Sequence, residues 1–385
     1  YQLDKSLFEM VKKTNNESTN SLVAFKDNAS AIYGFSITKL LTNNKHQSSS
    51  YRDHHYKQNG GHINTRLSPY WNGENLLKRF LKEVVDKSPE GKVYLIDNGS
   101  TDESVEYVKK EHPMVSIVLL DKNYGYAGGY NRGIASLKED IICLLNNDVL
   151  VKPSWLPPIL DHFEKHPQTA IAQPHIMDLN QPHKFEYAGA AGGFIDRLGY
   201  PYCRGRLFNE LEENKGQYDK DEKIFWASGA CFFIRNEVFK SLKGFDEDFF
   251  AHMEEIDLCW RAFNKNLDVF SLYKSKVFHL GAGTLRPSPR KVYLNFRNSL
   301  YLLLKNLPEK REFRIFERLL WDGVAVFYFI VKLNFSNAFA VIRAHYSFYV
   351  NFSKMKGKRS KSKKTTYYGS ESHLPIRYFF LKIKF

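Results

Sequence analysis

Three polar clusters in this sequence each close a short apolar run, and each holds carboxylates or amides placed to bind a ligand. Asp97, Asn98 and Asp102 follow the run at 93–96, residues 121–125 follow 115–120, and Asn146, Asn147 and Asp148 follow 141–145. A nucleoside diphosphate makes two demands: hydrogen bonds for its base and ribose, and positive charge for its pyrophosphate, commonly a divalent metal held by carboxylates. Asp97 and Asp102 suit the first demand. Asp148, leaving a rigid buried strand, suits the second. Each also has a purely structural alternative: an Asx turn at Asp97, a helix cap at Asp102, a turn at Asp148.

Elements must bring these clusters to one place. Leu76, Leu77, Phe80, Leu81, Val84 and Val85 lie at helical spacing before the first run, and further helices are predicted over 102–111 and 129–138. Strand and helix therefore alternate. That order predicts an α/β class, with a mostly parallel sheet, helices on both faces and right-handed crossovers. Ligands of such sheets bind beyond the carboxyl ends of the strands, so the three clusters are expected to converge on one crevice.

The ordered set of segments WNGENLL (71–77), VYLIDNGSTDES (93–104), DKNYGYAGGYNRGI (121–134), LLNNDV (144–149), SGACFFIRNEVFKSLKGFDEDFFAHMEEIDLCWR (228–261) and FHLGAGT (278–284) resembles the family 2 glycosyltransferases of the GT-A fold, particularly their rhamnosyltransferase-like branch. The resemblance implies donor contacts from Asp97, Asn98, Asp102, Gly128, Gly129, Asn131, Arg132 and Asn147. It implies a Mg or Mn site at Asp148, completed by His279, with Asn146 at the first acidic position of the family's DxD-like motif. Glu255 falls at the position of the family's catalytic base, one methylene longer than the usual Asp, with Glu254 beside it. The alternative is that Glu254, Glu255 and Asp257 are an acidic first helical turn, and that His279 is a structural histidine. The implied reaction is inverting transfer of a sugar from a nucleotide-sugar donor to a glycan or polyprenyl-linked saccharide acceptor, in cell-surface polysaccharide synthesis. A catalytically silent nucleotide- or glycan-binding protein is the alternative.

Length and composition suit this size of fold: 385 residues, 43% hydrophobic, exclude global disorder. The four cysteines form neither a CxxC pair nor a zinc spacing, which argues for a reducing cytoplasm. No secretory segment follows Tyr1. Of the +14 net charge, ten basic residues and one acid (Glu371) fall within 354–384. Together with the aromatic-rich helices expected from 309, this basic tail suits a membrane surface with anionic lipid, making the protein peripheral at the inner face of the plasma membrane. A helical pair packed on the enzyme is the alternative, and nucleic acid is not expected, since no recognition fold accompanies the charge. Three regions are therefore expected: 1–62, 63–308 and 309–385. The first is rich in Asn, Ser, Lys and His, and its residues 1–35 resemble an internal fragment of phosphoribosylformylglycinamidine synthase, too short to bring that enzyme's active site. The stretch 63–70 contains Pro69 and polar residues and is a poor central strand. A graft that replaced the first strand of the catalytic domain is the reading adopted, a divergent extension the alternative.

Overall fold

The computed structural model describes residues 32–37, 69–70, 72–208, 210–281, 288–308, 311–359 and 374. A ten-stranded sheet forms its centre. The strands are β1 (Ile32–Ile37), β2 (Pro69–Tyr70), β3 (Lys92–Asp97), β4 (Ser116–Leu119), β5 (Ile141–Asn146), β6 (Val149–Val151), β7 (Thr169–Asp178), β12 (Glu222–Lys223), β13 (Cys231–Arg235) and β14 (Asp268–His279). A small antiparallel sheet of β8 (Gly193–Ile195), β9 (Pro201–Cys203), β10 (Arg206–Leu207) and β11 (Glu210–Leu211) lies between β7 and β12 in the chain. The helices are α1 (Glu74–Asp86), α2 (Ser104–Glu111), α3 (Gly125–Ala135), α4 (Pro157–Lys165), α5 (Asn236–Ser241), α6 (Glu254–Phe263), α7 (Pro289–Asn306), α8 (Arg311–Val331), α9 (Phe335–Val350) and α10 (Phe352–Gly357).

Period-two alternation divides the core between the two faces of the sheet. Val93, Leu95, Cys143, Leu145, Cys231 and Phe233 pack with Leu77, Leu81 and Val84 of α1 on one face. Ile96, Ile142, Leu144, Phe232 and Ile234 pack with α3 and α6 on the other. The approach of α3 is close: a Cβ added at Gly133 would sit 1.8 Å from Cδ1 of Ile96.

The α/β architecture agrees with the sequence reading, but the sheet is mixed rather than mostly parallel. Three pairings are parallel (β2–β3, β3–β4, β7–β14) and six antiparallel among the described residues. The strand–helix alternation that predicts parallel pairing ends at 145. Beyond it, β13 returns between β5 and β7 through short strands and turns instead of a helical crossover.

The second difference concerns the residues expected to stand apart. Ile32–Ile37 pairs antiparallel with both β3 and β5, filling the position between them. β4 occupies the opposite edge of β3, since Tyr94 pairs with both Gly34 and Ser116, and Ile96 with both Pro69 and Val118. β1 and β2 therefore lie end to end along one edge of β3. The physical reason is that β3 and β5 carry backbone donors and acceptors on their facing edges that must be paired, and Ile32–Ile37 supplies the partners. The remainder of 1–62, including the rest of the synthase-like stretch, lies outside the described residues.

The C-terminal helices dock on this core through polar contacts. Arg197 pairs with Glu317 at 2.8 Å, and buried Arg318 pairs with Asp322 at 2.7 Å while donating to the Leu198 carbonyl at 3.0 Å. Both α8 and α9 pack against α7. Their outer faces stay apolar and exposed: Phe313, Phe316, Leu320, Val324, Phe327 and Val331 on α8, and Phe335, Phe339, Ile342, Tyr346 and Tyr349 on α9. Among the described residues no helix is long and apolar enough to cross a membrane.

Candidate active site

β3 and β5 run in the same direction, both antiparallel to β1, and Gly34 faces Tyr94 on one and Leu144 on the other. Asp97 and the Asn146-Asn147-Asp148 turn consequently leave the sheet at the same edge, as expected. His279 closes β14 opposite Val149, and the Leu280 N–H donates to the Asp148 carbonyl at 2.9 Å.

At the β3 end, Asp97 is buried, and its Oδ1 accepts from the Ser100 N–H at 3.0 Å. Burial raises its pKa, and the hydrogen bonds from Ser100 offset part of that rise. Asp102 accepts from the Glu74 N–H and the Ser104 N–H, both at 3.2 Å, so it joins the start of α1 to the approach to α2. Asn98 holds the following loop: its amide donates to Asn123 Oδ1 (3.0 Å) and the Gly125 carbonyl (3.2 Å) and accepts from the Tyr124 N–H (3.0 Å). The side chains of Asp102 and Asn98 are thus occupied in shaping the loops beyond β3.

The helix start expected at 129 lies at Gly125, which has φ +70°. Gly128 is therefore inside α3 instead of before it, and Gly129, expected as the first helical residue, lies in its second turn. A Cβ at Gly128 would meet Tyr124 Cβ at 2.9 Å and an Arg132 nitrogen at 3.0 Å, so glycine there lets Arg132 fold back. Arg132 pairs with Glu247 at 2.8 Å and lies 3.7 Å from the centroid of the Tyr124 ring. Asn131 donates to the Phe245 carbonyl and accepts from the Phe245 N–H, both at 2.9 Å. In this structure Asn131 and Arg132 join α3 to the segment that leads into α6.

At the β5 end, Asp148 Oδ1 lies 3.0 Å from His279 Nε2, and His279 Nδ1 lies 3.2 Å from Glu186 Oε1, all three residues buried. Burial opposes a charged imidazole, but the two carboxylates outweigh it and raise the His279 pKa well above its ordinary value. The Asn146 amide nitrogen lies 3.3 Å from the same Nε2. The Asn146 Oδ1 and Asn147 Nδ2 atoms are buried with no hydrogen-bond partner among the described residues. The imidazolium occupies the place of a compensating cation, and once Nε2 gives up its proton, Asp148, His279 and the Asn146 amide present an O/N donor set that fits a divalent metal. Among the described residues no three His, Cys, Asp or Glu side chains are gathered as a metal shell. A metal held here would have to take its remaining coordination from ligand oxygens and water.

The acidic cluster divides sharply. Asp257 is structural: Arg261 and Lys305 each lie 2.8 Å away and the Asn306 amide donates at 2.8 Å. Burial alone would raise its pKa, but these partners bring it down to about 2. Glu254 and Glu255, at the start of α6, each leave Oε2 buried with no hydrogen-bond partner, as does Nε2 of His252. Burial raises the Glu254 pKa well above its usual range and moves that of Glu255 up to about 7, while backbone N–H donors temper the latter. Unpaired buried oxygens on two adjacent carboxylates are costly and mark a site shaped for something else. Phe250, His252 and Met253 in the turn before α6 all have positive φ, 65°, 69° and 72°. Non-glycine residues rarely hold such angles without outside restraint. The restraint is Asn298 of α7, whose amide nitrogen donates to the carbonyls of Phe249 (2.9 Å), Ala251 (2.9 Å) and His252 (2.7 Å).

The two halves meet electrically. The Tyr126 phenol of α3 is shifted well upward by burial and then by Glu254 and Glu255, and the buried Cys203 thiol, also raised by burial, feels both Glu186 and Glu255. Glu186, Lys291 and Asn298 escaped the sequence reading. Lys291 is half-buried, its pKa lowered by burial against the opposing pull of Glu186. None of the three stands in a motif or at a strand end, and nothing in the local sequence marks them.

Residues 67–243 match the family model described as glycosyl transferase family 2. Over 184 residues the chain is 29% identical to the N-acetylglucosaminyl-diphospho-decaprenol L-rhamnosyltransferase of Mycobacterium tuberculosis, a match covering 43% of this chain and 59% of that relative. It is 26% identical over 212 residues to the low-salt glycan biosynthesis hexosyltransferase Agl10 of Haloferax volcanii, covering 53% of this chain and 64% of the relative. The chain thus spans less than two thirds of the length of either. Among solved structures it is similar to GalNAc-T7 with UDP, GalNAc and Mn2+, at TM-score 0.48 and 17% identity over 62% of this chain and 46% of that one.

Proposed function

We propose that this chain, whose residues 67–243 match the family model described as glycosyl transferase family 2, transfers a sugar with inversion from a nucleotide-sugar donor to a lipid-linked saccharide acceptor at a membrane surface, in cell-surface polysaccharide synthesis. The observation that carries the reading is Glu255: a carboxylate with a buried, unpartnered Oε2 and a pKa moved up to about 7, in the first turn of α6 directly after a restrained turn. A base of that strength is half-ionised near neutrality, where it best accepts a proton in the transition state.

Glu255 takes the proton from the acceptor hydroxyl as its oxygen attacks the anomeric carbon, and the bond from that carbon to the diphosphate oxygen breaks with its electron pair leaving on the diphosphate. One displacement inverts the centre. Asp97 receives the base or ribose of the donor, while Asn98, Asp102, Asn131 and Arg132 hold the loops around it. Asp148 and His279 would hold a Mg or Mn ion, which when bound supplies positive charge to the diphosphate. Lys291 adds a cation on the same side, facing Glu186. The relative that acts on a diphospho-decaprenol substrate, and the exposed apolar faces of α8 and α9, support a membrane-borne acceptor.

The test is nucleotide release from a panel of donor sugars with Mg or Mn, comparing the parent with Glu255→Gln. Gln keeps size and hydrogen bonding but removes basicity, so turnover should fall by roughly 10² to 10⁴ with donor affinity unchanged. If Glu255→Gln retains turnover and Glu254→Gln loses it, the base is the neighbouring residue; if both retain it, the reading fails.

A further inference from the structure

A cavity of about 540 Å³ opens against the restrained turn, lined by Phe250, Arg290, Tyr293, Arg297, Phe339 and Arg343 among others. It gathers three guanidinium groups from α7 and α9, and no carboxylate lines it among the described residues. The arginines are presented on aromatic rings: Arg290 over Phe250 at 5.2 Å, Arg297 and Arg343 over Tyr293 at 5.3 and 5.0 Å. Tyr293 reports the field inside. Burial opposes its ionisation, yet the hydrogen bond with Ser347 and the charges of Arg297 and Arg343 bring its pKa below the ordinary phenol value. An enclosure that stabilises a phenolate will stabilise a phosphate.

Two walls give the cavity its direction. Arg297 donates to the carbonyls of Asp248 (3.1 Å) and Phe249 (3.0 Å), and Phe250 begins the turn that delivers Glu255. On the other side Phe339 is 66% exposed and belongs to the apolar stripe of α9 with Phe335, Ile342 and Tyr346. Charge therefore sits between the base turn and an exposed hydrocarbon-compatible face.

We propose that this cavity receives the diphosphate of an isoprenoid-type membrane lipid, the arginines holding the phosphates while the hydrocarbon leaves over Phe339 along α9. That the lipid is the sugar acceptor rests on the glycosyltransferase reading; that the pocket binds it does not. The cavity shares no lining residue with the strand-end crevice, being built from α7, α9 and Phe250.

The probe is farnesyl diphosphate, titrated into the full chain by calorimetry beside inorganic pyrophosphate and farnesol, with and without saturating nucleoside diphosphate. Farnesyl diphosphate should bind roughly tenfold or more tighter than either fragment, and nucleotide should leave its affinity unchanged. The double variant Arg290→Gln/Arg343→Gln, at two exposed positions, should weaken it by roughly tenfold or more while the thermal shift given by nucleotide stays as in the parent. Parental affinity in the double variant overturns the proposal. So does displacement by nucleotide, or pyrophosphate binding as tightly as farnesyl diphosphate. Arginine-dependent binding in a chain that releases no nucleotide from any donor would support the pocket and defeat the enzymatic reading. Nucleotide release with arginine-independent binding would defeat the pocket alone.

Discussion

Glu255 and Asp257 are two residues apart on one helix, yet their surroundings separate their titrations widely. For Asp257, folding lowers the pKa to about 2, so its stabilisation is complete above the unfolded value and is lost as pH falls from about 4 to 2. Asp257→Asn leaves Lys305 with less compensation and should cost about 3 kcal/mol in urea unfolding at pH 7, the deficit narrowing by about 2 kcal/mol toward pH 2. For Glu255 the sign reverses. Folding raises its pKa to about 7, so stability relative to the unfolded chain is present below the unfolded value and lost as pH rises through about 7. Glu255→Gln should therefore unfold at a higher temperature than the parent at pH 8 but not at pH 4, although its turnover collapses; equal melting temperatures at pH 8 would count against a strained base. Asp97, Asp148 and His279 were legible because each ends an apolar run, a signal carried by adjacent residues. Glu186 and Lys291 were not, since what makes them matter is a contact across roughly a hundred residues that no spacing encodes.

The turn at 250–253 shows how an element far in sequence can hold chemistry in place. Asn298 on α7 donates to three of its carbonyls while Phe250, His252 and Met253 keep positive φ. Asn298→Asp preserves shape but cannot donate, so the turn should relax and Glu255 shift; turnover is expected to fall by roughly 10- to 100-fold with nucleotide affinity unchanged, measured by initial rates and calorimetry. Loss of both together would mean that Asn298 supports the whole fold rather than the turn. Gly133 makes the complementary case for α3. Its Cβ-less face meets Ile96, so Gly133→Ala must push α3 off β3 or force Ile96 from its rotamer, costing about 1–3 kcal/mol in chemical denaturation. Apolar spacing announces α3 but not where it starts. Residues 125–128 fall outside the predicted helix because glycine disfavours helix, whereas tertiary packing against Phe245 and Ile96 selects it.

At the scale of the whole molecule, α8 and α9 turn a row of aromatic side chains outward instead of into the core. Phe316→Ser together with Phe327→Ser, at 60% and 68% exposure, should reduce sedimentation with anionic vesicles by roughly tenfold and leave the melting temperature within a degree or two of the parent. Undiminished sedimentation would point away from these faces as the membrane contact. Sheet polarity was the least legible property, because a six-residue apolar segment pairs equally well in either direction and only its neighbours decide. β1 carries that indifference into the site itself. Among the described strands it alone bridges β3 and β5, so the offset between Asp97 and Asp148 is graduated by six residues, as on a vernier. A two-residue slip of β1 against β5, with its β3 ladder intact, would keep every side chain on its own face. It would still carry Asp148 about 7 Å along the strand relative to Asp97, beyond the span of any hydrogen bond. Two such settings would differ little in buried area and entirely in whether one nucleotide can be read and neutralised at once.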